Sequence, residues 1–143
     1  MSKAAIIFWS GTGNTEAMAK AVLDGAKSVN PDISYFKVSE ISSSDAAAYD
    51  TLILGCPAMG AEVLEEEEFE PFFTELESSL SGKNVALFGS YGWGDGEWMR
   101  EWEKRVISAG AKLVDGEGLM INEMPDDDGL DFCRALGKSA AAL

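Results

Sequence analysis

Residues 10–15 combine a flexible backbone with an unusual number of hydrogen-bond donors. Four side chains in this first loop can donate: Ser10, Thr12, Asn14 and Thr15. Gly11 and Gly13 let the chain turn tightly and approach a ligand. A helical pattern follows at once, so its unpaired N–H groups and positive dipole end would face a ligand in the loop. The first loop therefore predicts a site for a phosphate monoester, bound through neutral donors because the loop contains no Lys or Arg.

Other phosphate-binding motifs fit the first loop less well. A nucleotide-hydrolysing P-loop requires a lysine that this segment lacks. The dinucleotide pattern G-x-G-x-x-G can use Gly11 and Gly13, but Glu16 stands at its third glycine position. Glu40 lies where a ribose-binding acid would be expected, so the dinucleotide interpretation is weakened but stays open. A Ser/Thr helix cap after a flexible turn is the purely structural alternative.

Two further loops contain side chains suited to a flat ligand. The second loop is Pro57, Ala58, Met59, Gly60, Ala61 and Glu62. The third loop is Ser90, Tyr91, Gly92, Trp93, Gly94, Asp95 and Gly96. Its glycines leave Trp93 few local packing partners, which predicts an aromatic wall for a planar ligand, and Met59 could form the opposite wall. The alternative is that Trp93 folds into the core, as we expect for Trp98 and Trp102.

Short, continuous apolar runs precede these three loops, at 4–9, 51–56 and 85–88. Such runs are typical of strands buried on both faces of a parallel sheet. Residues 34–38 are more mixed and predict an edge strand. Residues 112–114 and 118–121 predict a last strand that is interrupted by 115–117.

Helical patterns lie between the strands. They follow Thr15, follow the Glu run 65–68, and occupy 98–106 and 130–140, with Pro125 and three aspartates opening the last helix. The alternation predicts an α/β fold, with helices on both faces of a parallel sheet, in a single domain of residues 1–143. Ligands of such sheets bind beyond the carboxyl ends of the strands, where the strand order reverses. All three loops lie at that end and could surround one ligand.

Composition narrows the possible functions. Eleven basic and 25 acidic residues give a net charge of −14, which argues against nucleic acid or anionic membrane partners and favours basic protein patches. The chain has no histidine, so the commonest general base and zinc ligand is absent. Cys56 and Cys133 lack metal-ligand spacing and are expected to be buried, reduced thiols, with a disulfide between them as the lesser alternative. The first apolar segment is too short for a signal peptide or membrane span, which predicts a cytoplasmic protein.

Three stretches resemble sequences of the flavodoxin family, in particular its short-chain members from anaerobic bacteria. They are WSGTGNTE at 9–16, GCPAMG at 55–60 and FGSYGWG at 88–94. The likeness extends from the first strand to the last helix. It implies a three-layer, doubly wound, five-stranded parallel sheet of order 2-1-3-4-5. It also implies a monomer that holds FMN tightly but non-covalently and carries single electrons between oxidoreductases, including flavodoxin reductases.

The resemblance also implies which residues bind the FMN and what each does. They are Trp9, Ser10, Gly11, Thr12, Gly13, Asn14, Thr15, Pro57, Ala58, Met59, Gly60, Ala61, Glu62, Ser90, Tyr91, Gly92, Trp93, Gly94 and Asp95. The four donors of the first loop would hold the phosphate. Met59 would cover the inner flavin face, Trp93 the outer face, and Glu62 would bond the pyrimidine edge. The Gly60 carbonyl would turn toward flavin N5 on reduction.

Two residues depart from the family pattern. Pro57 stands where some relatives carry a hydroxyl, which removes a possible phosphate or ribitol contact. Ala61 stands where relatives often carry Gly, Asp, Asn or Ser. If the reduced loop is a type II turn from Met59 to Glu62, Ala61 would need a positive φ and should resist the change.

Charge suggests a low reduction potential, because a fully reduced flavin is an anion and acidic residues flank the three loops. These acids are Glu62, Glu65 to Glu68, Asp95 and Glu97. The Glu run is also typical of a solvated helix start, where carboxylates interact favourably with the positive end of the helix dipole.

Two other functions remain to be weighed against the electron carrier. An FMN-dependent NAD(P)H:quinone or flavin reductase on the same fold would need a substrate pocket over the flavin, where Trp93 would block access. A signalling receiver domain would need acidic residues where Ser10 and Cys56 stand. We therefore predict an electron-transfer protein without catalytic residues.

Overall fold

A six-stranded parallel sheet forms the centre of the computed structural model, which describes residues 3–143. The strands are β1 (Ala4–Phe8), β2 (Ser34–Lys37), β3 (Thr51–Gly55), β4 (Asn84–Tyr91), β5 (Lys112–Leu113) and β6 (Leu119–Asn122). Their order is β2-β1-β3-β4, and both β5 and β6 pair with the far side of β4. Since β5 and β6 are two pieces of one last strand, the predicted order 2-1-3-4-5 is confirmed.

The interruption of the last strand is a tight turn over Val114–Gly116. Asp115 there has a φ of 62° and Gly116 a φ of 77°, both in the left-handed region. A left-handed residue cannot continue a strand, so the chain leaves the sheet after Leu113 and rejoins it at Leu119.

Within residues 3–143, five α-helices cover the two faces of the sheet. They are α1 (Asn14–Lys27), α2 (Ser43–Ala46), α3 (Phe69–Glu77), α4 (Glu97–Ser108) and α5 (Asp127–Ala141). One apolar core joins α1 and α5 to the sheet, and the other joins α2, α3 and α4 to the opposite face. The short helix α2 was not predicted.

Strand side chains alternate between the two cores, as a sheet buried on both faces requires. Ile6 and Ile53 face α1 and α5, whereas Ile7 and Leu54 face the other layer. Trp98 and Trp102 are buried in the α3–α4 layer, as predicted. Both cysteines are buried and free, which is also confirmed.

Helices α1 and α5 cross at glycines. A Cβ on Gly25 would overlap the backbone carbonyl oxygen of Arg134, and a Cβ on Gly137 would overlap that of Val22. The two helix backbones therefore lie closer together than residues with side chains would allow.

An ion-pair cluster joins α3 to α4. Arg105 donates to both carboxylate oxygens of Glu70 at 2.7 Å and to Glu77 Oε1 at 2.7 Å. Its guanidinium also lies 4.7 Å from the ring centre of Phe73. Hydrogen bonds from Arg105 lower the pKa of Glu70.

Arg105→Gln should reduce the free energy of unfolding at pH 7 by about 1–2 kcal/mol, discounted because the carboxylates remain partly in water. The folded-state pKa of Glu70 lies below its unfolded value, so the pair stabilises the fold fully above the ordinary Glu pKa. That stabilisation is lost as the pH falls through the folded-state pKa. Urea titrations at pH 7 and below about pH 4 should show the difference between wild type and variant shrink in acid. Lys104→Gln, which breaks an exposed pair with Glu101, is the control and should change little; an equal loss there would contradict the assignment.

Candidate functional site

The main cavity lies beyond the carboxyl ends of β1, β3 and β4 and has a volume of about 510 Å³. The lining residues are Trp9, Gly11, Thr12, Asn14, Pro57, Ala58, Met59, Ser90, Tyr91, Gly92, Glu123 and Met124. All three predicted loops therefore meet at one cavity. The strand order reverses between β1 and β3, so the cavity occupies the switch point where α/β sheets bind ligands.

The hydroxyl of Ser10 organises the first loop. Its Oγ accepts hydrogen bonds from the amides of Gly13 at 3.2 Å and Glu16 at 3.1 Å. Because the oxygen accepts both, its own proton is left to donate to another acceptor. Gly13 has a φ of 99° at the N-cap of α1, a conformation that favours glycine.

Thr15 joins the first loop to the third. The residue is 1% exposed, and its Oγ1 lies 2.9 Å from Ser90 Oγ. The Ser90 amide also donates to Thr15 Oγ1 at 3.4 Å. Thr15 therefore joins the two loops from a buried position, while Thr12 and Asn14 line the cavity itself.

The indole of Trp9 separates the main cavity from a second cavity of about 130 Å³. Trp9 Nε1 donates to Glu68 Oε1 at 3.1 Å. A Cβ on Gly11 would lie 2.8 Å from the Trp9 ring, so the glycine allows the indole to pack against the loop.

The second loop forms a tight hairpin. Met59 and Val63 exchange both backbone hydrogen bonds, at 2.8 and 3.0 Å. Gly60 has a φ of 49° and Glu62 a φ of 56°, whereas Ala61 stays outside the left-handed region. The loop therefore closes at Val63 in this structure, and the type II turn from Met59 to Glu62 stays a prediction for the reduced state. In this conformation the positive φ falls on Gly60, where it costs least, and on Glu62.

The Glu62 side chain points toward the start of α4. Its Oε1 accepts from the amides of Gly96 and Glu97, both at 3.2 Å. The carboxylate thus bridges the second and third loops.

Trp93 does not fold into the core. The residue is 67% exposed, the largest exposed fraction among the large apolar residues of the described chain. Tyr91 instead packs against the buried Trp98, with ring centres 5.7 Å apart. Asp95 pairs with Arg100 at 2.9 Å, and the hydrogen bond from Arg100 lowers the pKa of Asp95.

One acid of the Glu run differs from the expected solvated helix start. Glu65 is 6% exposed, and its carboxylate accepts from the amides of Glu67, Glu68 and Phe69 at 2.8–2.9 Å. Its oxygens take the place of solvent at the start of α3. Glu66, Glu67 and Glu68 are exposed, as predicted.

Sequence reasoning missed two cavity residues, Glu123 and Met124, which follow β6. Glu123 has a φ of 57°, and its amide donates to the Tyr91 carbonyl at 2.7 Å. Their position after the last strand was the available signal, because that strand ends at the same edge of the sheet as the others.

The cavity fits FMN in size and in chemistry. Its volume lies within the range of roughly 300–1,000 Å³ that is usual for small ligands and cofactors. The neutral donors Thr12 and Asn14 line the cavity at the start of α1, where a phosphate would be favoured. Met59, Tyr91 and Gly92 also line it and can contact a flat ring system.

A doubly wound sheet with this cavity at its switch point defines a mononucleotide-binding α/β protein. Comparisons with known proteins make the assignment specific. A family model described as Flavodoxin matches residues 6–137. The chain belongs to the flavodoxin family.

The sequence is similar to those of named flavodoxins over nearly the whole chain. The flavodoxin of Megasphaera elsdenii is 47% identical over 136 residues, which cover 95% of this chain and 96% of the relative. The flavodoxin of Clostridium beijerinckii is 48% identical over 138 residues, which cover 96% and 99%. The solution structure of the two-electron reduced Megasphaera elsdenii flavodoxin superposes with a TM-score of 0.86, at 45% identity and with 98% and 99% coverage.

Membership of this family establishes the broad function. The chain is an FMN-binding electron carrier and not an enzyme, and the reductase alternative is not favoured. Flavodoxin-like domains exchange electrons with oxidoreductases. This chain also matches part of a larger protein, the Moorella thermoacetica protein named nitric oxide reductase. The match has 27% identity and covers 99% of this chain but only 36% of that protein.

Proposed function

We propose that the 143 residues form a single domain that acts as a monomeric, cytoplasmic carrier of single electrons at low potential. The observation that carries this proposal is the convergence of the three predicted loops on one cavity at the switch point. None of the helices in residues 3–143 is long and apolar enough to cross a membrane.

Each of the three loops contacts a different part of FMN. Thr12 and Asn14, which line the cavity, donate to the phosphate. The hydroxyl proton of Ser10, a residue that lines the adjoining second cavity, is a further donor, while Thr15 keeps the first loop in register with Ser90. Met59 covers the inner flavin face and Trp93 the outer face. Bound FMN supplies the ability to accept and release one electron at a time; the chain orients it and excludes water.

Acidic groups around the cavity set a low potential. Glu123 lines the cavity, and Glu62 and Asp95 lie in the loops that enclose it. Adding negative charge to a bound group among these carboxylates is unfavourable. Arg100 offsets part of this charge, since it pairs with Asp95.

Trp93→Ala tests the outer wall. A stacked aromatic pair contributes about 1 kcal/mol beyond area burial, so the variant should bind FMN at least fivefold more weakly. It should also raise the potential for the second electron, because water reaches the charged flavin. Fluorescence titration and spectroelectrochemistry would measure both changes.

Trp98→Ala is the matched control. Trp98 is 2% exposed, so its loss should lower the free energy of unfolding and leave the second potential nearly unchanged. Identical behaviour of the two variants would show that Trp93 is not the wall.

Partners with basic patches are favoured by the net charge of −14. Oxidoreductases and flavodoxin reductases with such patches should exchange electrons with this protein at rates that fall as salt rises. Stopped-flow kinetics from about 10 mM to about 500 mM salt, spanning Debye lengths of roughly 30 Å to under 8 Å, would show the decrease. A rate constant that stays flat over this range would rule out charge steering.

A further inference from the structure

Helix α4 has no side-chain cap at its N-cap residue, although the nearby Asp95 carboxylate also faces the Glu97 amide. Its N-cap is Gly96, which has a φ of 94° and no side chain that could accept a hydrogen bond. Helices usually place Ser, Thr, Asp or Asn at this position, because the first amides have no partner inside the helix. Gly96 is buried, so solvent is a poor substitute here.

The missing acceptor comes from the second loop. Glu62 Oε1 lies 3.2 Å from the amide nitrogens of both Gly96 and Glu97, 34 and 35 residues along the chain. A carboxylate at this end of a helix is also favoured by the helix dipole. Oε2 receives no hydrogen bond from residues 3–143, so it remains available to another donor.

The surrounding backbone is shaped to admit this carboxylate. Gly94 has a φ of 89°, and a Cβ there would overlap the carboxyl group of Glu62. Glu62 itself has a φ of 56°, which is unfavourable for a residue with a long side chain and persists only where other contacts enforce it. The paired hydrogen bonds between Met59 and Val63 are such contacts.

We propose that Glu62 is a positioning residue that caps α4 from the second loop and thereby fixes the second and third loops relative to each other. The functional consequence rests on the proposed function: Met59 and Trp93, the two flavin walls, lie on the loops that Glu62 joins. Because Oε1 accepts from the two amides, only Oε2 is left for the contact with the flavin edge that the family resemblance implies.

Amide hydrogen exchange at Gly96 and Glu97 tests the cap in the FMN-loaded protein. Glu62→Ala should accelerate exchange at least tenfold at Gly96, whose acceptor is gone, and less at Glu97, near which the Asp95 carboxylate remains. Glu62→Gln keeps an acceptor oxygen and should restore at least half of the lost protection on a logarithmic scale. Glu66→Ala and Glu66→Gln remove the same charge from an exposed neighbour and should leave both amides unchanged. Protection of Ile6 and Ile53 in the sheet reports that each variant is folded.

A double-mutant cycle tests the positioning role. If Glu62 positions Trp93, then Trp93→Ala should weaken FMN binding at least threefold less in the Glu62→Ala background than in wild type. Acceleration below tenfold at Gly96 in Glu62→Ala, no restoration in Glu62→Gln, or losses of FMN affinity that simply multiply would overturn the proposal. Failure of the wild-type chain to take up FMN would instead overturn the proposed function, and exchange at the two amides would still decide the cap.

Discussion

Thr12→Val should weaken FMN binding about 10- to 100-fold and leave riboflavin binding unchanged. Thr12 lines the cavity at the end where the first loop meets the start of α1. A hydrogen bond to a charged group contributes about 1.5–3 kcal/mol, and each 1.4 kcal/mol is a tenfold change in affinity. Valine has nearly the same shape as threonine but cannot donate, and riboflavin lacks the phosphate that would accept. Titration of flavin-free protein with both flavins measures the two constants.

Ser39→Ala provides the control for this substitution. Ser39 lines only the second, smaller cavity behind Trp9, so both flavins should bind the variant as they bind wild type. If Thr12→Val weakened FMN and riboflavin equally, the first loop would contact the ring or ribitol rather than the phosphate.

Gly25→Ala should lower the free energy of unfolding by about 3 kcal/mol, at the upper end of the usual range for overpacking. The added methyl group would overlap the carbonyl oxygen of Arg134, so α1 and α5 would have to move apart. In an open helix the same substitution stabilises by about 1 kcal/mol, and the sign of the change is therefore diagnostic. Urea unfolding followed by circular dichroism gives the difference.

Gly137→Ala tests the same crossing from the other helix. Its methyl group would overlap the carbonyl oxygen of Val22, so the combined loss in the double variant should be smaller than the sum of the two single losses. Lys27→Ala on α1 should change stability by less than about 0.5 kcal/mol. A neutral or stabilising Gly25→Ala would show that the two helices can separate at no cost.

Apolar pattern was enough to predict the strands and the larger helices. The runs at 4–9, 51–56 and 85–88 are buried strands because no polar face interrupts them, and the break at 115–117 appeared as Asp-Gly-Glu. Helix α2 was missed because four residues carry too short a pattern to show a period. Its start depends on a single cap, the Ser42 hydroxyl that accepts from the Asp45 amide.

The site was predicted at the level of loops, while individual side-chain partners were not. Several glycines together with several side-chain hydrogen-bond donors in a short loop indicate a ligand site, because a stable fold does not need that combination in a loop. Glu65 and Glu62 look alike in sequence, yet one is buried on the amides of α3 and the other reaches across to α4. Such pairings depend on where distant backbone amides lie in space, and the local sequence does not predict those positions.

The divided last strand also governs how copies of this chain meet when they are concentrated. An uninterrupted edge strand offers a row of unpaired amides and carbonyls on which another chain can add by strand pairing. Here that row is cut into pieces of two and four residues, with a left-handed Asp115 between them. The opposite edge, β2, is also four residues long and ends at Lys37 before the chain turns away. Both edges of the sheet are therefore too short for another chain to add by strand pairing. The short edge strands disfavour fibrous aggregation, and so does the net negative charge.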